Sequence, residues 1–444
     1  MTLWEYTFSF LNLYFGIKTE LMIVSKRIRD VIHEYIEVPD MIINNIIDSP
    51  AFQRLRFIIQ NGMAFEVYPN MRHTRFEHSL GAYNVMKKAI SILTEKVEDK
   101  DIKDLIKNDS EELQVLALLH DIGHYPFSHT FEMGIKIASV DIKELQRLSK
   151  YHEKVGLFVV KNLFPKYAND FDKIYNSKDN LYSELLNNNI DVDRMDYLLR
   201  DSYYSGTPYG NFSLERMLSI MTLVKDNGKI RLAFSEKGIS DLEHFLLARY
   251  YMYDQLYHHR VVEGFNAIMA MAISQLIISN NTNSQQNSSV SKIIFFQENE
   301  FNLDTFLNLT DYWLLSTLKN SNINECLKEA IFNRKKYLFI EIPLRYAEER
   351  GMNRIDVTKL LESKLYNIVK QYNGEVVGSV VNIHPMGESE IYIVNKKGEI
   401  TTLTSSPIYQ TLKNLVKSRL VIGICSKLSK EEVMKEIKNS LGID

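Results

Sequence analysis

The 444-residue chain is 45% hydrophobic and 25% charged, with a formal net charge of -3. At roughly 100–200 residues per domain this allows two or three domains of ordinary globular composition. The charge balance argues against a dedicated nucleic-acid coat, though not against a local basic pocket. The only cysteines, Cys326 and Cys425, lie far apart. They suggest neither a disulfide framework nor a thiolate site, so any metal is expected on histidine and carboxylate, in a reducing cytoplasm.

Residues 1–24 are apolar and aromatic but interrupted by Glu5, Lys18 and Glu20. No run reaches the roughly 18 apolar residues of a spanning helix, and the basic start and small-residue cleavage site of a secretory signal are not visible. Residues 1–21 read as a leader or non-core extension, with Met22 as an alternative start. From Val31 to about Ser274 apolar residues recur at three- and four-residue spacing, which predicts helices. The clearest runs are Leu113–Leu119, Val155–Leu163, Arg194–Leu199, Leu214–Met221 and Leu242–Leu256. Short extended pieces are expected at Tyr35–Val38 and, after the Asp226-Asn227-Gly228 turn, at Ile230–Ala233. Residues 278–291 are rich in Asn, Ser and Gln and read as a linker or surface loop. Helices are expected over Asp304–Asn333, Thr358–Gln371, 408–419 and 430–441. Strands are expected at Tyr337–Ile342, Glu375–His384, Glu390–Val394 and Ile400–Leu403. The expected fold is mainly α: a helical core over 22–277 and a smaller C-terminal helical and α+β region over 292–444.

Most of the eleven histidines lie between His73 and His259. They fall in RHTRFEHSLG (72–81), LALLHDIGHYPFSHTFE (116–132) and YHEKVG (151–156); IDVDRMDYLLRD (190–201) adds carboxylates. In the second segment an apolar run ends in His120-Asp121, and Gly123 and Pro126 end or bend the helix. His120 and Asp121 thus sit at the end of a rigid element, with His124 and His129 close behind. A lone His-Asp pair is usually a surface or capping accident. Burying this many imidazoles without a function would repeat a desolvation cost. Imidazole with carboxylate suits a divalent ion such as Mn, Mg, Fe, Ni or Zn, and ligands that leave open positions make a hydrolytic site. His33, His73, His244 and His384 read as structural, His258 and His259 as helix-end residues, and Asp191 and Asp196 as orienting groups.

These motifs, with DSPAFQRLRFIIQNG (48–62), occur in the same order in the HD superfamily, and the chain resembles its dNTP triphosphohydrolase branch. The resemblance runs from about Ile43 to Ala267. It implies an HD-domain helical core and His78, His120, Asp121 and Asp193 as metal ligands. It also implies catalytic roles for His124, His129, His152 and Glu132. Substrate contacts are implied for Gln60, Asn61, Arg75, Arg194, Tyr197, Arg249, Tyr253 and Tyr257, and a regulatory nucleotide site for Asp48, Gln53 and Arg56. Arg194 stands where the human member of the branch has lysine, Tyr253 where it has histidine, and Asn61 where an apolar residue adjoins the sugar.

The expected reaction is attack of water on the α-phosphorus of a (deoxy)nucleoside triphosphate, releasing nucleoside and triphosphate. The resemblance also implies a homodimer or homotetramer and possible activation by GTP or a dNTP. Nothing points to a membrane partner. The alternatives are an HD nucleotidase or phosphodiesterase on another phosphate ester, and a nucleotide-regulated nucleic-acid-binding protein.

Overall fold

The computed structural model describes residues 25–142, 145, 151–177, 180–282, 302–335, 337–344, 354–383, 386–387, 389–415, 417–425 and 427–441. The leader, Met22, residues 283–291 of the expected linker and His384 lie outside the described residues. A hairpin of β1 (Ser25–Asp30) and β2 (Glu34–Pro39) precedes the helical core. Helix α1 (Arg75–Lys96) starts where the Thr74 backbone N–H donates to Glu77 at 2.9 Å, so the first turn is capped by its own third residue. Helix α2 (Ser110–Leu119) is buried at Leu113 and throughout Val115–Leu119. A helix apolar on nearly every side belongs inside a core, and its end therefore delivers His120 to the interior.

Helices α3 (His129–Ala138), α4 (Tyr151–Leu163) and α5 (Val192–Ser205) complete the site's framework. The Asp191 carboxylate accepts the Arg194 N–H at 2.8 Å to cap α5, and Gly206 closes that helix in the left-handed region (φ 70°). Helix α6 (Ile239–Met252) leads into α7 (Arg260–Thr282). By length and composition Arg260–Ser279 could cross a membrane, but 78% of its most apolar window is buried, as a core helix requires. Helix α7 extends to Thr282, so the segment read as linker begins as helix and its first five residues are corrected accordingly.

Strands β3 (Met221–Asp226) and β4 (Lys229–Ser235) form a hairpin. Helices α8 (Asp311–Asn320) and α9 (Glu325–Asn333) then lead to β5 (Tyr337–Pro343). Helix α10 (Arg354–Gln371) precedes β6 (Val376–Ile383), β7 (Tyr392–Val394), β8 (Ile400–Thr402) and β9 (Lys417–Cys425). Helix α11 (Lys430–Leu441) closes the described chain. The C-terminal strands make an antiparallel sheet ordered β5-β9-β6, while β7 pairs in parallel with β4 of the core. Strand β9 corrects the helix expected over 408–419, because that helix ends at Asn414. From Leu420 to Cys425, β9 is an apolar run buried on both faces, in which periodicity cannot separate strand from helix.

The two cysteines are also corrected: they form a disulfide with a Cα–Cα distance of 6.4 Å across 99 residues. Cys326 opens α9, which leads into β5, and the β5–β9 register sets Tyr337 opposite Cys425. Strand pairing, not sequence proximity, brings the sulfurs together.

Candidate metal centre and catalytic cavity

Four side chains from three places in the chain converge. His78 comes from α1, His120 and Asp121 from the end of α2, and Asp193 from the first turn of α5. His78 Nε2 lies 3.3 Å from His120 Nε2, 3.0 Å from Asp193 Oδ1 and 3.5 Å from Asp121 Oδ2. His120 Nε2 lies 3.5 Å from both of those carboxylate oxygens. An ion about 2.0–2.2 Å from each donor spaces neighbouring donors roughly 3.0–3.6 Å apart, so the set fits a divalent metal. Two imidazole nitrogens and two carboxylate oxygens gathered this closely form a donor set that suits a divalent cation.

The imidazoles are turned to suit. His78 Nδ1 is 2.9 Å from Asp196 Oδ2, and His120 Nδ1 is 2.9 Å from the Ala117 carbonyl. Both contacts hold the proton on Nδ1 and aim the Nε2 lone pair inward. Asp196 is fully buried and gripped by Arg200, which reaches on to Asp30, while His33 Nε2 lies 2.7 Å from its other oxygen. Gly81 permits this arrangement: a Cβ there would lie 1.9 Å from Asp196 Oδ1, so only glycine lets α1 and α5 approach so closely. With no metal bound, burial opposes charging of His78, but Asp193 and Asp196 outweigh it and lift its pKa to about 10, so a cation would bind by displacing the Nε2 proton. Burial likewise opposes ionisation of Asp121, yet the Arg75 guanidinium and the rings of His120 and His124 hold it well below the usual carboxylate range.

Beside the ligands stand three more histidines. His124 Nε2 is 3.2 Å from Asp121 Oδ1, and its ring stacks on His152 with centroids 4.1 Å apart and planes 13° apart. His129 meets His124 edge-on at 5.0 Å. One ion cannot lie in two parallel ring planes, so these three rings suit protons and anions better than a second metal. Glu132 binds His152 Nδ1 at 2.7 Å and His129 Nδ1 at 2.9 Å, leaving Nε2 of each ring available. Although burial opposes it, the pair of imidazoles keeps Glu132 ionised far below its ordinary range. Burial, then Arg75 and His152, push the pKa of His124 well down, so this ring is neutral. Gly123 sets the stack: a Cβ would meet His152 O at 2.1 Å and Gly156 N at 2.3 Å.

These groups line a cavity of about 510 Å³. Gln60, Asn61, Arg75, His124, His129, His152, Arg194, Tyr197, Tyr253 and Tyr257 all face it, with His120, Asp121 and Asp193. Fully buried His78 stands behind the wall and Glu132 beneath the rings it orients. Arg75 donates to Asp121 and, at 2.7 Å, to Ser128 Oγ. Arg249 is not among the lining residues; it is buried behind Tyr253, donating to the Asn189 carbonyl at 3.0 Å. Asp48, Gln53 and Arg56 lie outside the cavity, where Arg56 donates to Gln53 at 2.8 Å and covers the Phe76 ring.

Asp201 was missed from sequence. It is 1% exposed and joins Asn61 (2.7 Å), His73 (2.6 Å) and Tyr257 (2.7 Å) at the cavity wall. Its position eight residues after Asp193 and four after Tyr197, one helical face, was the available signal. His258, read as a helix-end residue, lines the cavity with Glu263, 2.5 Å away. His33 carried no local signal, since its partner lies 163 residues onward.

Residues 75–201 match the HD domain and residues 212–292 the HD associated region. The chain is 31% identical over 421 residues to an uncharacterized protein of Methanocaldococcus jannaschii, covering 94% of this chain and 81% of that one. It is 29% identical over 268 residues to the deoxynucleoside triphosphate triphosphohydrolase of Homo sapiens, covering 53% and 42%. In fold it resembles a phosphohydrolase from Bacteroides thetaiotaomicron, with a TM-score of 0.69 and 24% identity over 90% of this chain and all of that one.

Proposed function

Because the chain belongs to the HD-domain phosphohydrolase family, which binds a divalent metal, we propose that it hydrolyses nucleoside triphosphates to nucleoside and triphosphate. One observation carries this reading: the ligand cluster opens into a cavity that also presents Arg75, Arg194 and three histidines, with a tyrosine wall beyond. A triphosphate carries about four negative charges and needs several cations to be held, and a nucleoside needs an apolar aromatic surface. A metal held by His78, His120, Asp121 and Asp193 would supply phosphate-polarising charge and acidify a water.

The chain's own groups do the rest. Arg75 and Arg194 neutralise phosphate oxygens. Tyr197, Tyr253 and Tyr257 pack on the nucleoside, while Gln60, Asn61 and Asp201 offer polar contacts to its hydroxyls. As a water that has lost one proton to solvent bonds to the α-phosphorus and the bond to the 5′-oxygen breaks, His129 passes its Nε2 proton to that oxygen and regains one from solvent. Glu132, anchored on Nδ1 of His129, orients that ring with Nε2 toward the cavity. His152 and neutral His124 orient the phosphate side of the site. Asp48, Gln53 and Arg56 serve as a regulatory nucleotide site in a homodimer or homotetramer, which size-exclusion chromatography with and without GTP would test.

The deciding experiment is a panel of dNTPs and NTPs with Mn, Mg, Fe, Ni and Zn, with products separated. Nucleoside plus triphosphate is expected, and His120→Ala and Asp121→Ala should each lose turnover by at least roughly a thousand-fold. Release of mono- or diphosphate would overturn the reaction assignment. Turnover retained in both variants would overturn the metal assignment.

A further inference from the structure

Outside the HD core, α8 sends one carboxylate into the back of the site. Asp311, 4% exposed, accepts the Ile59 N–H on Oδ2 and the Phe127 N–H on Oδ1, both at 2.7 Å. Each amide lies immediately before working residues: Ile59 precedes Gln60 and Asn61, and Phe127 precedes Ser128 and His129. Phe127 and Ser128 adopt φ of 56° and 54°, a left-handed conformation that residues with side chains avoid. The two segments are also tied together, since Ser128 Oγ donates to the Ile59 carbonyl at 2.8 Å and accepts from Arg75 Nε. Arg75 in turn grips Asp121. A continuous set of polar contacts therefore runs from α8 to a proposed metal ligand.

We propose that Asp311 is a positioning residue, whose carboxylate clamps the two segments carrying Gln60–Asn61 and Ser128–His129 and holds the strained turn that presents His129 and seats Arg75. The clamp is expensive in stability. Burial pushes the Asp311 carboxyl up to about 7, against the two amides, Arg54 and Arg75. Arg54 lies buried nearby, donating through Nε to the Leu309 carbonyl at 2.8 Å, and neither of its Nη atoms has a hydrogen-bond partner among the described residues. An acid and a base kept in such surroundings mark a site where geometry outweighs burial cost. The two tethered amides fix where the next one or two residues can point, and a displacement of about 1 Å at a reacting group can lower turnover roughly a hundred-fold.

This inference rests on the hydrolase reading for its kinetic arm and not for its structural arm. Asp311→Asn keeps the shape but leaves one acceptor for two N–H groups; Asp311→Ala leaves none. With the full chain, Mn and dGTP, both variants should keep full metal content, while kcat falls roughly 10–100-fold and KM changes much less. Hydrogen exchange should accelerate in peptides covering 57–61 and 125–131, with α1 unchanged. A kcat within about two-fold of wild type in the folded variants overturns the proposal. Loss of the fold in both also overturns it, because Asp311 would then be a stability residue. If the wild-type chain does not hydrolyse dGTP, that counts against the functional reading, and exchange alone decides this one: unchanged protection in both peptides defeats it.

Discussion

At the scale of single residues, the tautomer of His78 decides whether its Nε2 can bind a cation. Its Nδ1 contact with Asp196, itself pinned by Arg200 and His33, makes that choice. Asp196 never touches the ligand centre, yet its charge raises the basicity of the imidazole. Asp196→Asn should therefore weaken metal binding about 10–100-fold while the fold survives, which competition with a metal indicator would measure. Unchanged affinity would mean that backbone packing alone orients His78. The structure brings the side chains of His78, His120, Asp121 and Asp193 together; they were proposed as ligands from sequence because they sit in motifs whose order the HD superfamily shares. Their supporting partners were not: His33 and Asp196 are 163 residues apart, and no local pattern links them.

At the scale of elements, α4 comes close enough to the end of α2 for His152 to stack on His124. That approach runs past Gly123, where a Cβ would strike backbone atoms of His152 and Gly156, which cannot rotate away as a side chain can. Gly123→Ala should force α4 outward, with a stability loss of about 1–3 kcal/mol and a larger relative loss of turnover than of bound metal. Thermal melting, metal content and kcat on one preparation test this; wild-type kcat would show that the histidine stack is dispensable. Helix positions were readable because three- and four-residue apolar spacing is a local property. The Leu420–Cys425 part of β9 was not, since a central strand segment buried on both faces loses the alternation that marks an exposed one.

At the scale of the molecule, the C-terminal region is bound to the core by more than chain connectivity. Strand β7 extends the β3-β4 hairpin and α8 holds two core segments through Asp311, while within the C-terminal region Cys326 is linked to Cys425. A bridge across 99 residues restricts the unfolded chain strongly, on the order of 2–5 kcal/mol. Wild-type protein should therefore melt lower with dithiothreitol than without it, and Cys326→Ser should match the reduced protein under both conditions. A melting temperature indifferent to reductant would disprove the bridge in solution.

By itself the sequence determined the helical character of the core, the histidine-carboxylate chemistry and the order of the motifs, because spacing and residue type are carried along the chain. The tertiary structure alone decided which distant groups meet: Asp196 with His33, Asp201 with Tyr257, Asp311 with two site segments, Cys326 with Cys425. Those meetings are set by close helix packing at Gly81 and Gly123 and by strand register, which depend on contacts between segments that no local pattern encodes.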